Sequence, residues 1–226
     1  MNPLVSRDFG VDTDRVSDPE PLPSALRRRL GGRYPIDPFG LDPHLCDLLA
    51  PAVSSMVRVV VTGGEHVPRA GGAVLVANRG FGVVEPAALS VAVRRETGRR
   101  LRVVGAPAVP FAGGALRRLG AIAASYEDVS AALRAGHLVA MPLAPTWLRT
   151  GAGTPPLALM QATTHTPVVP VAIVPGGPFG SALRPWQVRF GELVRLDEPY
   201  APDDPLTAAR FAEAMQEAVN ALLAAS

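Results

Sequence analysis

Four histidines, one cysteine and no lysine bound the chemistry open to this 226-residue chain. All 22 basic side chains are arginine, a bias that a GC-rich coding sequence explains alongside the abundant Ala, Gly and Pro. A lysine Schiff base, a lysine nucleophile and a P-loop lysine are therefore excluded. His44, His66, His137 and His165 each lie outside any motif with a nearby acid, so they read as surface or capping histidines. Ser125 and Ser181 lack the setting of a nucleophile elbow, and no H-E-x-x-H metal motif occurs. Gly113-Gly114 and Gly176-Gly177 read as ordinary turns. Cys46 alone supports neither a disulfide framework nor a Cys-rich zinc site. No metal or cofactor is expected.

The net charge of +2 hides an uneven distribution. Residues 1–50 carry six arginines against eight carboxylates, and residues 151–226 carry four against seven. Residues 51–150 carry twelve against five, a net of +7. Such a middle suits an anionic partner, either a phosphate-bearing ligand or lipid headgroups. It is equally consistent with a solvated surface facing the acidic ends. Nucleic acid is disfavoured, because aromatics are only 5% and no recognition motif appears. No long uninterrupted apolar run exists, and the first residues are acidic and lack an apolar stretch. These features predict a cytoplasmic protein, free or peripheral on the inner face of the cell membrane.

Residues that could do chemistry must be placed by secondary structure. Residues 1–36 read as an N-terminal extension, partly disordered, with one short helix near Pro23–Leu30. A single domain over 37–226 then follows. Asp42-Pro43 opens a helix to about Met56, with Asp42 as cap and Pro at the first helical position. Strands are expected at Val57–Thr62, Ala73–Ala77, Leu101–Gly105, Ala121–Ala124, His137–Met141, Val168–Val174 and Val188–Leu196. Helices are expected at Pro86–Thr97, Pro110–Leu119, Glu127–Ala135, Pro156–Thr164 and Pro205–Ala225. This alternation predicts an α/β fold with a mixed, largely parallel sheet flanked by helices.

The order of these pieces resembles the glycerolipid (lysophospholipid and 1-acylglycerol-3-phosphate) acyltransferase family. Arg58-Val-Val-Val-Thr-Gly-Gly-Glu-His-Val-Pro68 and Gly71-Gly-Ala-Val-Leu-Val-Ala-Asn78 match the strand, turn and strand that lead into that family's N-H-x4-D motif. Leu116–Ser125, Leu133–Pro142, Pro167–Ile173 and Val188–Glu192 resemble later blocks in the same order. The leader Asp37-Pro-Phe-Gly-Leu-Asp-Pro43 looks like the extension of actinobacterial members. The resemblance implies a glycerol-phosphate acyltransferase-like α/β domain and places Asn78, Arg79, Glu85, Arg117, Arg118, Pro142 and Arg149 around a substrate cleft.

In that family the motif histidine is the general base for the acceptor hydroxyl, and the aspartate orients it. Here those positions are Arg79 and Val84. Arginine stays protonated and offers no lone pair, so it is no base. Glu85 comes one residue late and has no imidazole to orient. The third block keeps Pro142 but reads Leu143-Ala-Pro-Thr146 where the family has Glu and Gly. Arg149 is out of register with the family's arginine, and Ser125 replaces another. The expected role is a catalytically degenerate acyltransferase relative that binds acyl chains, acyl-CoA or lipid, or partners an active enzyme. A working acyltransferase using acyl-CoA or acyl-carrier protein through a different base remains open, as does a structural part in a lipid assembly. Arg79 and Glu85 read equally as an ion pair in the former cleft and as tolerated substitutions. Arg117-Arg118 and the run Arg94, Arg95, Arg99, Arg100, Arg102 suit phosphate or membrane contact, or solvated helix faces.

Overall fold

A computed structural model describes residues 36–78, 84–105, 113–143, 163–176, 184–194 and 205–225, together with residues 21, 23, 24, 27, 30, 31 and 161. Asp42 and Pro43 open helix α1, Pro43–Met56, as their types dictate: the Asp42 carboxylate accepts the Leu45 amide at 2.9 Å. Strand β1 (Val59–Thr62) follows, then a 3-10 turn at Gly64–His66 and strand β2 (Ala73–Ala77). Helix α2 (Val84–Thr97) leads to β3 (Leu101–Val104), and α3 (Gly113–Arg118) to β4 (Ala121–Ile122). Helix α4 (Tyr126–Arg134) precedes β5 (Leu138–Pro142), and the chain continues with β6 (Val168–Val174), β7 (Trp186–Phe190) and α5 (Pro205–Ala224).

The strands form one seven-stranded sheet in the order β1-β7-β6-β2-β5-β3-β4. The five strands β6, β2, β5, β3 and β4 are parallel, while β7 is antiparallel to β6 and carries β1 beside it. The sheet is mixed and largely parallel. Strand β2 sits at its centre and is buried on both faces, which explains its unbroken Ala/Val/Leu sequence. Ala73, Leu75 and Ala77 join Leu138, Ala140, Val169 and Val171 under α2 residues Ala88, Leu89, Ala92 and Val93. Val74 and Val76 face the other way, with Val139 and Met141, against Val129 and Leu133 of α4 and Phe211 and Met215 of α5. Among the described residues no helix is long and apolar enough to cross a membrane.

Several expectations shift. The strand expected over Val188–Leu196 begins at Trp186 and ends at Phe190; Gly191–Leu193 is irregular and Val194 makes an isolated bridge to Val168. Gly113-Gly114 opens α3 and is no turn. The helix expected over Pro156–Thr164 lies mostly outside the described residues, though Gln161, Thr163 and Thr164 are helical. Ser125 caps α4 by accepting the Asp128 amide at 3.1 Å. Gly63 has a left-handed φ of +71°, and a Cβ there would collide with the Phe190 carbonyl, so glycine is required.

The larger correction concerns arginine. Arg99, Arg100 and Arg102 are all buried, not solvated. Arg102 alternates with Leu101 and Val103 along β3, and its guanidinium pairs with the Asp37 carboxylate inside the protein. Asp37 also accepts the amides of Phe39 and Leu41, each at 2.9 Å, which winds Asp37–Leu41 into a tight strap. The Phe39 ring covers Arg102 at 5.7 Å and stacks edge-on against His137 at 5.3 Å. His137 is therefore a core histidine, contrary to its surface reading, because the strap closes over the start of β5. Asp47 of α1 receives Arg94 at 2.8 Å and Arg100 at 2.6 Å. Arg99 donates to the carbonyls of Pro68 at 2.9 Å and Gly136 at 2.5 Å, joining two turns.

Burying one partner of such a pair without the other costs about 3–5 kcal/mol. Asp37→Ala strands Arg102 in the core and should lose about that much in urea denaturation. Arg102→Met leaves Asp37 its two backbone amides and should cost less. Equal losses would show that the strap does not depend on this ion pair. Cys46 in α1 gives a second check, since its thiol meets the Arg118 carbonyl at 3.6 Å and burial pushes its pKa up to about 11. At pH 8 its thiolate population is about a hundredfold below that of an ordinary thiol. Alkylation should be slow in the folded protein and accelerate as pH rises toward 11. The unfolded thiol ionises first, so folding stability from this group falls as pH climbs from about 9 to about 11. Labelling at the rate of a free thiol would contradict the burial.

Candidate functional site

Parallel strands present their carboxyl ends on one rim, where ligands of α/β proteins usually bind. Strand β2 ends at Ala77, which pairs in register with Pro142 of β5 and Val171 of β6. The Leu143 amide donates to the Ala77 carbonyl at 2.6 Å, so the segment that leaves β5 meets the end of β2 directly. The rim therefore gathers Asn78, Pro142 and Leu143.

Asn78 is half-buried and its side-chain amide is engaged. Its backbone amide donates to the Val171 carbonyl at 3.2 Å. Its Oδ1 accepts the Ile173 amide at 2.7 Å, and its Nδ2 donates to the Ile173 carbonyl at 3.3 Å. A side-chain amide imitates a peptide group, so Asn78 extends the β2–β6 ladder by one residue. Val84 is the first residue of α2 and packs, partly buried, on the apolar cluster beneath that helix. Glu85 follows in the first turn and is half-buried, a position that favours negative charge near the helix amino end. Arg79 and Arg149 lie outside the described residues, as does any contact between Arg79 and Glu85.

Arg117 and Arg118 stand elsewhere. Both are exposed in the last turn of α3. The Arg118 carbonyl accepts the Asp42 amide at 2.9 Å, and the Gly120 carbonyl accepts the Val103 amide at 3.0 Å. They are thus level with the start of β3 and beside the leader, not at the strand ends that carry Asn78 and Pro142. Arg102, Asp37 and Asp47 carry the buried electrostatics, a role that no sequence motif assigns to them. One signal was available: an arginine inside Leu101-Arg-Val-Val104, an otherwise apolar strand, needs an internal partner. Among the described residues no group of three or more His, Cys, Asp and Glu side chains could hold a metal ion.

No family model matches the chain. It is 39% identical over 127 residues to an uncharacterized protein of Mycobacterium tuberculosis, an alignment covering 51% of this chain and 36% of that one. An uncharacterized protein of Mycobacterium leprae matches at 39% over 127 residues, covering 51% and 35%. The chain thus spans about a third of the length of the curated relatives it matches. Among solved structures it is similar to the 1-acyl-sn-glycerophosphate (LPA) acyltransferase PlsC from Thermotoga maritima, at 14% identity and a TM-score of 0.48 over 79% of this chain and 80% of that one.

Proposed function

We propose that this chain is a catalytically degenerate relative of the glycerolipid acyltransferases that binds acyl chains, acyl-CoA or lipid at the β2–β5–β6 rim, or partners an active enzyme there. Residues 37–226 form its acyltransferase-like domain. The observation that carries the reading is the replacement of base and orienting acid, Arg79 and Val84, within five family blocks in correct order. The packing of Val84 on the apolar cluster supports it, because a carboxylate there would be partly desolvated. A general base contributes about 10²–10⁴-fold, and no histidine among the described residues stands at the rim to replace it. An anionic ligand or surface accompanies this role through those arginines of the middle segment that stay exposed, with any membrane attachment peripheral and salt-sensitive.

The test is thioester cleavage from acyl-CoA with a panel of lyso-lipid acceptors, followed by thiol release. Wild type, Arg79→His and Arg79→His with Val84→Asp should all stay at the buffer blank, with an active acyltransferase as positive control. The double variant fails because the third block lacks its Glu and Gly, and a 1 Å error in acceptor pose already costs about 10²-fold. Titration with a fluorescent acyl-CoA should nevertheless give saturable binding to wild type. Turnover by wild type would establish a working enzyme with another base, for which Glu85 is the carboxylate to substitute first. Rescue by Arg79→His alone would mean that the rest of the site is intact.

A further inference from the structure

Strand β1 (Val59–Thr62) stands at the edge of the sheet, with β7 on one side and no strand on the other among the described residues. Its register with β7 fixes which main-chain groups are used. Val59 lies level with Trp186, and the Trp186 amide donates to the Arg58 carbonyl at 2.9 Å. Successive residues of a strand turn their amide and carbonyl to alternate sides, so Arg58, Val60 and Thr62 bond toward β7. Val59 and Val61 therefore aim both groups away from the sheet. Their side chains pack partly buried on the apolar cluster under α2, while Val60, 48% exposed, and Thr62 lie on the other face. Proteins ordinarily blunt such an edge with a proline, a bulge or a charge within the strand. Val59–Thr62 carries none of these.

This edge is complementary to itself. Two copies related by a two-fold axis at Val60 run antiparallel, with Val59 of each opposite Val61 of the other. Each of these pairs exchanges both of its outward main-chain hydrogen bonds. Val60 then meets its own equivalent at the close, non-hydrogen-bonded position, where Cβ atoms stand about 4.5–5.5 Å apart. Moving the axis to Val59 or Val61 would bring Val57 or Gly63 into the ladder. The Val57 amide is already given to the Val53 carbonyl, and Gly63 has left the strand with a φ of +71°. Charge agrees with the register set by Val60. Exposed Arg58 of one copy lies opposite Thr62 of the other, beside the turn that carries Glu65, whose side chain is 76% exposed. Opposite charges are thus set together, and symmetry repeats them at both ends of the contact.

We propose that β1 pairs with β1 of a second copy, antiparallel about Val60, joining the two sheets into one. The pairing goes beyond the acyl-binding reading and needs neither a ligand nor the rim. An edge this short buries less than the roughly 1,200 Å² of a standard interface, so the dimer should depend on concentration. Sedimentation velocity of the full chain, from micromolar to near-millimolar, should show monomer passing into dimer. Val60→Lys sets two ammonium groups against each other on the axis and should weaken the dimer at least about tenfold. Arg58→Glu and Glu65→Arg should each weaken it about threefold, and the two together should restore it to within about twofold of wild type. Monomer melting should be unchanged in every variant, because the substituted side chains are exposed. Hydrogen exchange reads the register directly. The Val59 and Val61 amides should exchange at least about tenfold more slowly at high concentration than at low, while the Val60 amide, already bonded to β7, should not change. A chain that stays monomeric throughout would overturn the pairing. So would a dimer indifferent to Val60→Lys, or Val59 and Val61 amides that exchange alike at both concentrations. Charge reversals that fail to compensate each other would overturn the two-fold register.

Discussion

The buried guanidinium of Arg102 is the constraint on which this architecture turns. A charge 1% exposed in a parallel sheet is tolerable only if a carboxylate comes to it. No carboxylate lies near it along β3, so the leader must supply one from 65 residues away. Asp37 arrives, folds its own backbone around its second oxygen, and lays Phe39 over the cation. That strap delivers Leu41 and the Asp42 cap, which in turn start α1. Arg94 and Arg100 repeat the pattern with Asp47 one turn further on.

This network changes the meaning of the positive middle segment. Arg94, Arg99, Arg100 and Arg102 do not form one outward surface for a ligand, because three of them are buried and the fourth is paired inward. The acidic leader and the basic middle are instead two halves of one internal electrostatic joint. Among the described residues of that segment, the exposed arginines are Arg58, Arg69, Arg95, Arg117, Arg118 and Arg134, spread over several elements. The same joint ties the inward side of α1, which also seats Val53 on the apolar cluster, to α2 and to the start of β3.

At the opposite end of the strands, the rim is held by backbone geometry more than by charge. Asn78 prolongs the pairing of β2 with β6, while Leu143 ties β5 to β2. These bonds fix where the strand ends stand, and hence where any ligand at the rim would meet the chain. Val84, the first residue of α2, packs partly buried against the apolar cluster beside this rim.

Much of this was legible from residue types. Buried β2 announced itself by an uninterrupted apolar run, α1 by Asp-Pro at its start, and the α/β alternation by its spacing, because each signal is local. The resemblance to the acyltransferase family, and the arginine at residue 79, are likewise properties of the sequence alone. Tertiary structure decided the fate of the arginines and of His137, since burial depends on what packs above a residue and not on its neighbours in the chain. Leu101-Arg-Val-Val104 carries an oddity that sequence can flag, but only folding shows that Asp37 answers it. The direction in which α1 faces was equally undecidable beforehand. Apolar residues lie on both sides of the helix, and the packing of Val53 and Val57 on the core cluster together with the Asp47 ion pairs, formed across 47 and 53 residues, fixes the side that turns inward.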